Sequence, residues 1–214
     1  MKNLCILFVL FFGCFALEDK NILLPKETAT DYVILKPTVQ QPLKQLTVCL
    51  RTYTELTRPH SLFSMATPGQ NKTVLILPIP PNVCRVYINE EYFIFTVDQE
   101  ILDWKLTCLT WDSSTGELQL WINGKRYPRR VTITRSPIGP QMSVILGQDQ
   151  DVYGSRFDAT KSFVGEIYDV NMWDYVLSTS NLKLLSKSYK YYGNIFNWED
   201  GVYELKGDAI ILNH

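Results

Sequence analysis

The 214-residue chain carries 21 basic and 22 acidic side chains, with 46% hydrophobic and 13% aromatic residues. That composition excludes a disordered chain, which is poor in apolar and aromatic residues. The near-neutral balance leaves no broad basic field for nucleic acid or an anionic membrane surface.

The chain opens with Met1-Lys2, an unbroken apolar run from Leu4 to Phe12, then Gly13-Cys14-Phe15-Ala16 and the charged Glu18-Asp19-Lys20. This order predicts a secretory signal peptide over residues 1–16, cleaved after Ala16, where Cys14 and Ala16 are the small residues that a signal peptidase reads. The run is too short to span a bilayer as a helix, so the expectation is an exported protein that does not span the membrane. Removing residues 1–16 takes away one lysine and no acid, leaving 20 basic and 22 acidic side chains. Residues 17–214 then read as one domain, since all-β chains of 200–250 residues are routinely single.

After the leader, the hydrophobic pattern has the period of a strand almost everywhere, in short β-branched and aromatic runs broken by turn formers. Predicted strands are Leu46–Thr52, Thr73–Leu77, Arg85–Ile88, Tyr92–Val97, Lys105–Trp111, Glu117–Ile122, Val144–Gly147 and Phe163–Trp173. Asp112-Ser113-Ser114-Thr115-Gly116 predicts one turn, and Asn123-Gly124 predicts a type I′ hairpin turn, which needs positive φ at both central residues. Ser178 followed by Thr179–Leu185 predicts one short helix, with a serine N-cap and Leu182 and Leu185 on one side. Trp111, Trp121 and Trp173 fall inside alternating strands and read as core. Tyr189, Tyr191 and Tyr192 follow the helix as candidates for a subunit contact.

Three cysteines remain after the leader, which carries Cys5 and Cys14: Cys49, Cys84 and Cys108. In an oxidising compartment one pair and one leftover thiol are expected, and spacing alone leaves all three pairings open. Cys84 is expected to be buried if it is the leftover.

The stretch richest in chemistry is Ile145-Leu146-Gly147-Gln148-Asp149-Gln150-Asp151, continuing through Gly154 to Asp158. A strand ends at a glycine and oxygen-bearing side chains then crowd together, which suits calcium, a cation that takes six to eight oxygen ligands. An EF-hand is excluded: counted from Asp149, the fifth position is Tyr153, and Thr160 stands at the twelfth, where a bidentate glutamate is needed. His60 and His214 lie far apart and no zinc spacing occurs.

Four separated blocks, in order, resemble the short pentraxin family: Leu46-Thr47-Val48-Cys49-Leu50 with Tyr53-Thr54-Glu55-Leu56, Cys108-Leu109-Thr110-Trp111-Asp112-Ser113, Ile145 through Asp151, and Val170-Asn171-Met172-Trp173-Asp174. Leu106 stands where the family's signature has a histidine. The resemblance implies an all-β, two-sheet antiparallel jelly-roll sandwich with one short helix, a Cys49–Cys108 disulfide, and a cyclic homopentamer. It also implies two adjacent calcium ions per subunit. Asn71, Asp149, the Gln150 carbonyl and Asp151 would hold one, and Asp149, Asp151 and Asp158 the other.

The departures from the family fall at this site. Asn71-Lys72 stands where an Asp-Asn pair is usual, and Lys161 where a glutamine ligand is usual. Lysine offers no coordinating oxygen, and an ammonium about 4 Å from a cation costs about 4 kcal/mol per unit charge product at an effective dielectric near 20. If metal binds, at least one lysine must swing outward; otherwise Lys161 is expected to pair with Asp158 and neutralise an emptied second site. Asn71-Lys72-Thr73 is also an N-glycosylation sequon, and a glycan on Asn71 would take the same amide from the metal.

A calcium with an open position would recruit phosphate or sugar hydroxyl oxygens from outside. In family members that select phosphocholine, an apolar pocket and an acid lie nearby, at positions that fall on Leu77, Tyr87 and Tyr92 here, so the acid is missing. The function expected is a secreted, calcium-dependent pattern-recognition lectin that binds phosphate-bearing or carbohydrate ligands multivalently in innate host defence or an extracellular coat. The alternative is a structural extracellular or egg-coat glycoprotein with a degenerate metal site. Catalysis is not expected, because the acids cluster on one polar loop instead of facing each other across a sugar-sized gap, and no nucleophile elbow or phosphate loop occurs.

Overall fold

The computed structural model describes residues 20–99 and 102–213, so the leader with Cys5 and Cys14, and His214, lie outside the described residues. The strands are β1 Lys20–Leu24, β2 Tyr32–Lys36, β3 Gln45–Tyr53, β4 Phe63–Thr67, β5 Gln70–Ile79, β6 Val83–Ile88, β7 Glu91–Thr96, β8 Lys105–Asp112, β9 Glu117–Ile122, β10 Lys125–Arg126, β11 Arg130–Val131, β12 Ser143–Leu146, β13 Gly165–Trp173, β14 Val202–Lys206 and β15 Ile210–Asn213. One sheet runs β10-β9-β8-β3-β13-β1-β15, with β11 also on β9, and the other runs β14-β2-β12-β4-β5-β6-β7. The described pairings are antiparallel, as in β3 on β8 and β5 on β6. This is the two-sheet sandwich expected from the sequence.

Alternate residues of each sheet turn inward and fill the space between the sheets, where Val48, Leu50, Phe63, Met65, Val74, Val86, Leu109, Val144 and Ile167 form one buried cluster. A second, smaller core lies on the outer side of the larger sheet. There Cys49, Leu106, Cys108, Trp121 and Trp173 pack against Leu177, Leu182 and Leu185. Leu182 and Leu185 come from α1, Thr179–Leu185, whose N-cap Ser178 accepts a hydrogen bond from the Asn181 amide at 3.2 Å. Burying each leucine contributes roughly 1.5–3 kcal/mol, which is what keeps so short a helix folded.

Cys49 and Cys108 are direct partners across β3 and β8 and form the disulfide, with a sequence separation of 59. Closing a loop of that length is worth about 4 kcal/mol by chain entropy. Cys84 is buried in the main core. Asn123 and Gly124 have φ of 47° and 76°, the paired positive values that the hairpin dipeptide predicts.

The elements differ from the sequence reading in several places. β12 stops at Leu146 because Gly147, with φ of 85°, turns the chain, and β13 starts only at Gly165. The strands β1, β2, β4, β14 and β15 were not predicted, nor were the two-residue β10 and β11. β4 is buried at all five positions, so its sequence shows no alternation.

Candidate functional site

The loop after β12 lies on the outer side of the smaller sheet. Ser64 lies between Phe63 and Met65, whose side chains point into the main core, so its own points outward, and its hydroxyl accepts from the Gln150 amide at 3.2 Å. The side chain of Gln150 is buried and pins the loop at three further points. Its Nε2 donates to the Ser64 and Ser143 carbonyls at 3.0 and 3.1 Å, and its Oε1 accepts from the Gly154 amide at 2.8 Å. Gln148, also buried, donates to the Thr28 and Asp31 carbonyls at 2.6 and 3.0 Å, and Ser61 donates to the Gln148 carbonyl at 2.9 Å. Glycine is favoured where the loop begins, because Gly147 has φ of 85°, a conformation that other residues rarely adopt, and an added Cβ would also crowd Leu24 Cδ1 at 2.2 Å.

A bulge in β5 brings the second half of the site. Thr67 pairs with Gln70 and Met65 with Val74, so Asn71, Lys72 and Thr73 stand opposite the single residue Ala66. Such an insertion re-aims side chains. It is held by the Lys72 amide donating to Glu90 Oε1 at 2.9 Å and by the Thr67 and Thr73 hydroxyls, 2.8 Å apart.

Lys72 is thereby directed into the loop. Its Nζ donates to Asp149 Oδ1, to the Gln150 carbonyl at 2.8 Å and to Asp151 Oδ1 at 2.9 Å. Lys161 reaches the other oxygen of the same carboxylate, with its Nζ 3.4 Å from Asp149 Oδ2. Burial works to lower the Lys161 pKa, but the charges of Asp149, Asp151 and Asp158 outweigh it and hold the ammonium above the ordinary lysine value. The Asp149 side chain is 4% exposed. A carboxylate so buried is tolerated because it is paired, here with two ammonium groups.

The expected site residues therefore have different placements. Asp149, Asp151 and the Gln150 carbonyl come together around one point. Asn71 precedes Lys72 in the bulge and is half-buried, and its sequon threonine, Thr73, is buried. Asp158 caps the short turn Ala159–Lys161 and accepts from the Thr160 amide and hydroxyl at 3.0 and 2.7 Å, bonds that hold its pKa below the ordinary aspartate value. Lys161 thus pairs with Asp149, where the sequence suggested Asp158. Among the described residues no three His, Cys, Asp or Glu side chains are grouped to hold a metal. The oxygens around Lys72 are of the kind that calcium takes, but the point they surround carries an ammonium. They fit a calcium ion only with Lys72 turned out.

Next to this cage lies a platform that the sequence suggested only in part. Ser64, Leu75, Tyr87 and Tyr92 are direct partners across four strands, so their side chains share the loop's face. Arg85 and Leu77 lie two residues along on the same face. The Tyr87 and Tyr92 rings are 5.8 Å apart, and the Arg85 guanidinium lies 5.7 Å from the Tyr92 ring centre. Arg85 Nε is buried without a hydrogen-bond partner among the described residues, and Tyr92 is 60% exposed. At about 4.8 Å per strand, Tyr87 stands roughly 10 Å from the row that holds the loop.

Comparison with known proteins agrees with this architecture. The chain is 54% identical to Jeltraxin of Lepidobatrachus laevis, over 100% of its own length and 97% of the relative's. It is 48% identical to the C-reactive protein of Xenopus laevis, covering 98% and 90% of the two chains. The fold superposes on a native heptameric SAP-like pentraxin from Limulus polyphemus with a TM-score of 0.80 at 21% identity, over 91% of this chain and 95% of that one. The Pentaxin family pattern matches residues 20–213. With the sandwich, the disulfide between partner strands and the β12 loop in place, the chain belongs to the pentraxin family.

Proposed function

We propose that the protein is a secreted pattern-recognition lectin that holds phosphate-bearing or carbohydrate ligands on the face carrying the Gly147–Lys161 loop, in innate host defence or an extracellular coat. Members of the family are recognition proteins of innate immunity, so the coarse role follows from membership. The observation that carries the finer reading is the cage of Asp149, Asp151 and the Gln150 carbonyl beside the Arg85, Tyr87 and Tyr92 platform.

Calcium is the cofactor in this reading, two ions per subunit by family likeness. Asn71, Asp149, the Gln150 carbonyl, Asp151 and Asp158 are the residues that would hold it once Lys72 turns out. Bound there, calcium supplies a vacant coordination position for a phosphate or hydroxyl oxygen. The platform then sets the ligand class. A guanidinium stacked on Tyr92 attracts a second anionic group and repels a quaternary ammonium, so anionic glycans and phosphomonoesters are favoured over phosphocholine. Several sites on one face of a homopentamer would raise avidity by about 10²–10⁴ on a repeating surface.

The test is retention of the recombinant protein on phosphate-bearing and galactose-bearing matrices, with calcium and with chelator, for the wild type and Asp151→Asn. Retention that needs calcium and falls at least about tenfold in Asp151→Asn is expected, since the substitution removes a charge-assisted contact of the cage. No retention on either matrix in any condition overturns the reading and favours the structural-glycoprotein alternative.

A further inference from the structure

Lys72 makes three donor contacts, which use every N–H of its ammonium, and all three acceptors are groups that a metal ion in this loop would draw on: Asp149, the Gln150 carbonyl and Asp151. Its side chain is only 15% exposed, and its backbone is fixed by the bulge and by Glu90. Without a cation, the near-buried Asp149 and its neighbour Asp151 would repel each other, a repulsion that works against the Gln148 and Gln150 hydrogen bonds pinning the loop. Lys161 adds a second ammonium from the far side of Asp149, so two carboxylates are matched by two tethered positive charges.

We propose that Lys72 is a built-in cation that closes the Gly147–Lys161 loop without metal, and that calcium enters only by displacing it. This rests on the calcium reading above and goes beyond it: the closed loop does not depend on the ion, and a side chain sets the concentration at which the ion takes hold. A loop closed in this way presents the same face whether calcium is scarce or plentiful. What changes with calcium is the vacant coordination position, so the metal governs ligand capture and not loop order.

Arg156 supplies the readout. It is exposed at the tip of the loop, with φ of 57°, and a trypsin cut after it reports opening directly. Lys72→Asn removes the charge and supplies an amide, and Lys72→Met keeps an apolar stem without the charge. In excess chelator both variants should be nicked after Arg156 about tenfold or more faster than the wild type, the change in open-loop population that follows from losing charge-assisted hydrogen bonds. In Lys72→Asn, calcium should restore resistance at a concentration at least about tenfold below the one that changes wild-type retention, since no ammonium competes.

A single nick, located by mass spectrometry and absent from Arg156→Gln, separates local opening from global unfolding. Resistance of both variants equal to that of the wild type in chelator overturns the proposal. So does resistance of Lys72→Met alone, which would show that the stem and not the charge holds the loop. If Lys72→Asn opens in chelator and calcium does not close it, the lysine clamp stands and the calcium reading is the part that fails.

Discussion

Arg85 is where the chemistry of the ligand should be most readable. Its Nε is buried with no hydrogen-bond partner among the described residues, and its guanidinium lies against Tyr92. A desolvated donor without an acceptor costs roughly 1–3 kcal/mol, a cost that an anionic group on the ligand would remove. Arg85→Ala should therefore lower retention on a phosphate matrix by about tenfold while leaving retention on a neutral sugar matrix nearly unchanged. Equal loss on both matrices would show that the side chain only supports the platform. At this scale the sequence was legible in part. The acids of the loop stand out in any reading, because three aspartates within ten residues after a strand-ending glycine have few uses. The buried amides of Gln148 and Gln150 were less legible. They look like ordinary surface residues until the backbone carbonyls of Thr28, Asp31, Ser64 and Ser143 are seen converging on them from distant segments.

At the scale of the element, the turn Asp112–Gly116 couples local chemistry to the sheet. Asp112 ends β8, and burial would raise its pKa. Hydrogen bonds from the Ser114 hydroxyl, from Gln45 on the neighbouring strand and from the Ser114 and Thr115 amides outweigh that burial and hold it below the ordinary aspartate value. A carboxylate lowered in the folded state contributes stability above its unfolded pKa of about 3.9, and the contribution is lost as pH falls through the lowered value. Asp112→Asn should therefore melt below the wild type at pH 7, and the gap between the two melting temperatures should narrow as pH falls below about 3.9. A constant gap across that range would assign the effect to packing. Elements with regular alternation, such as β6 and β7, were legible because one face of each is exposed or partly exposed. β4 was not, being buried throughout, and the bulge in β5 was invisible because register depends on a partner strand. That bulge is why Lys72 looked like a flaw in the sequence and is a central contact in the structure.

At the scale of the whole molecule, the two sheets leave apolar side chains exposed on opposite edges. Val131 in β11 and Ile133 just beyond it are 59% and 90% exposed beside the edge strand β7, to which Glu91 ties them through the Ile133 amide at 2.9 Å. Val202 in β14 and Ile210 in β15 are 55% and 46% exposed on the far edge. Two different patches on opposite sides suit a head-to-tail contact, which closes into a ring when the rotation permits. Ile133→Asp should convert the proposed homopentamer to monomers in sedimentation velocity, with the melting curve of the subunit preserved. An unchanged sedimentation coefficient would place the contact elsewhere.

The opposed placement of α1 and the Gly147–Lys161 loop, on the outer sides of different sheets, gives every subunit a front and a back. In a planar ring all the fronts point one way. Such a disc, settled on a microbial wall or a glycan coat, would hide its loops against that surface and turn a uniform crown of helices toward the surrounding fluid, available to whatever arrives next.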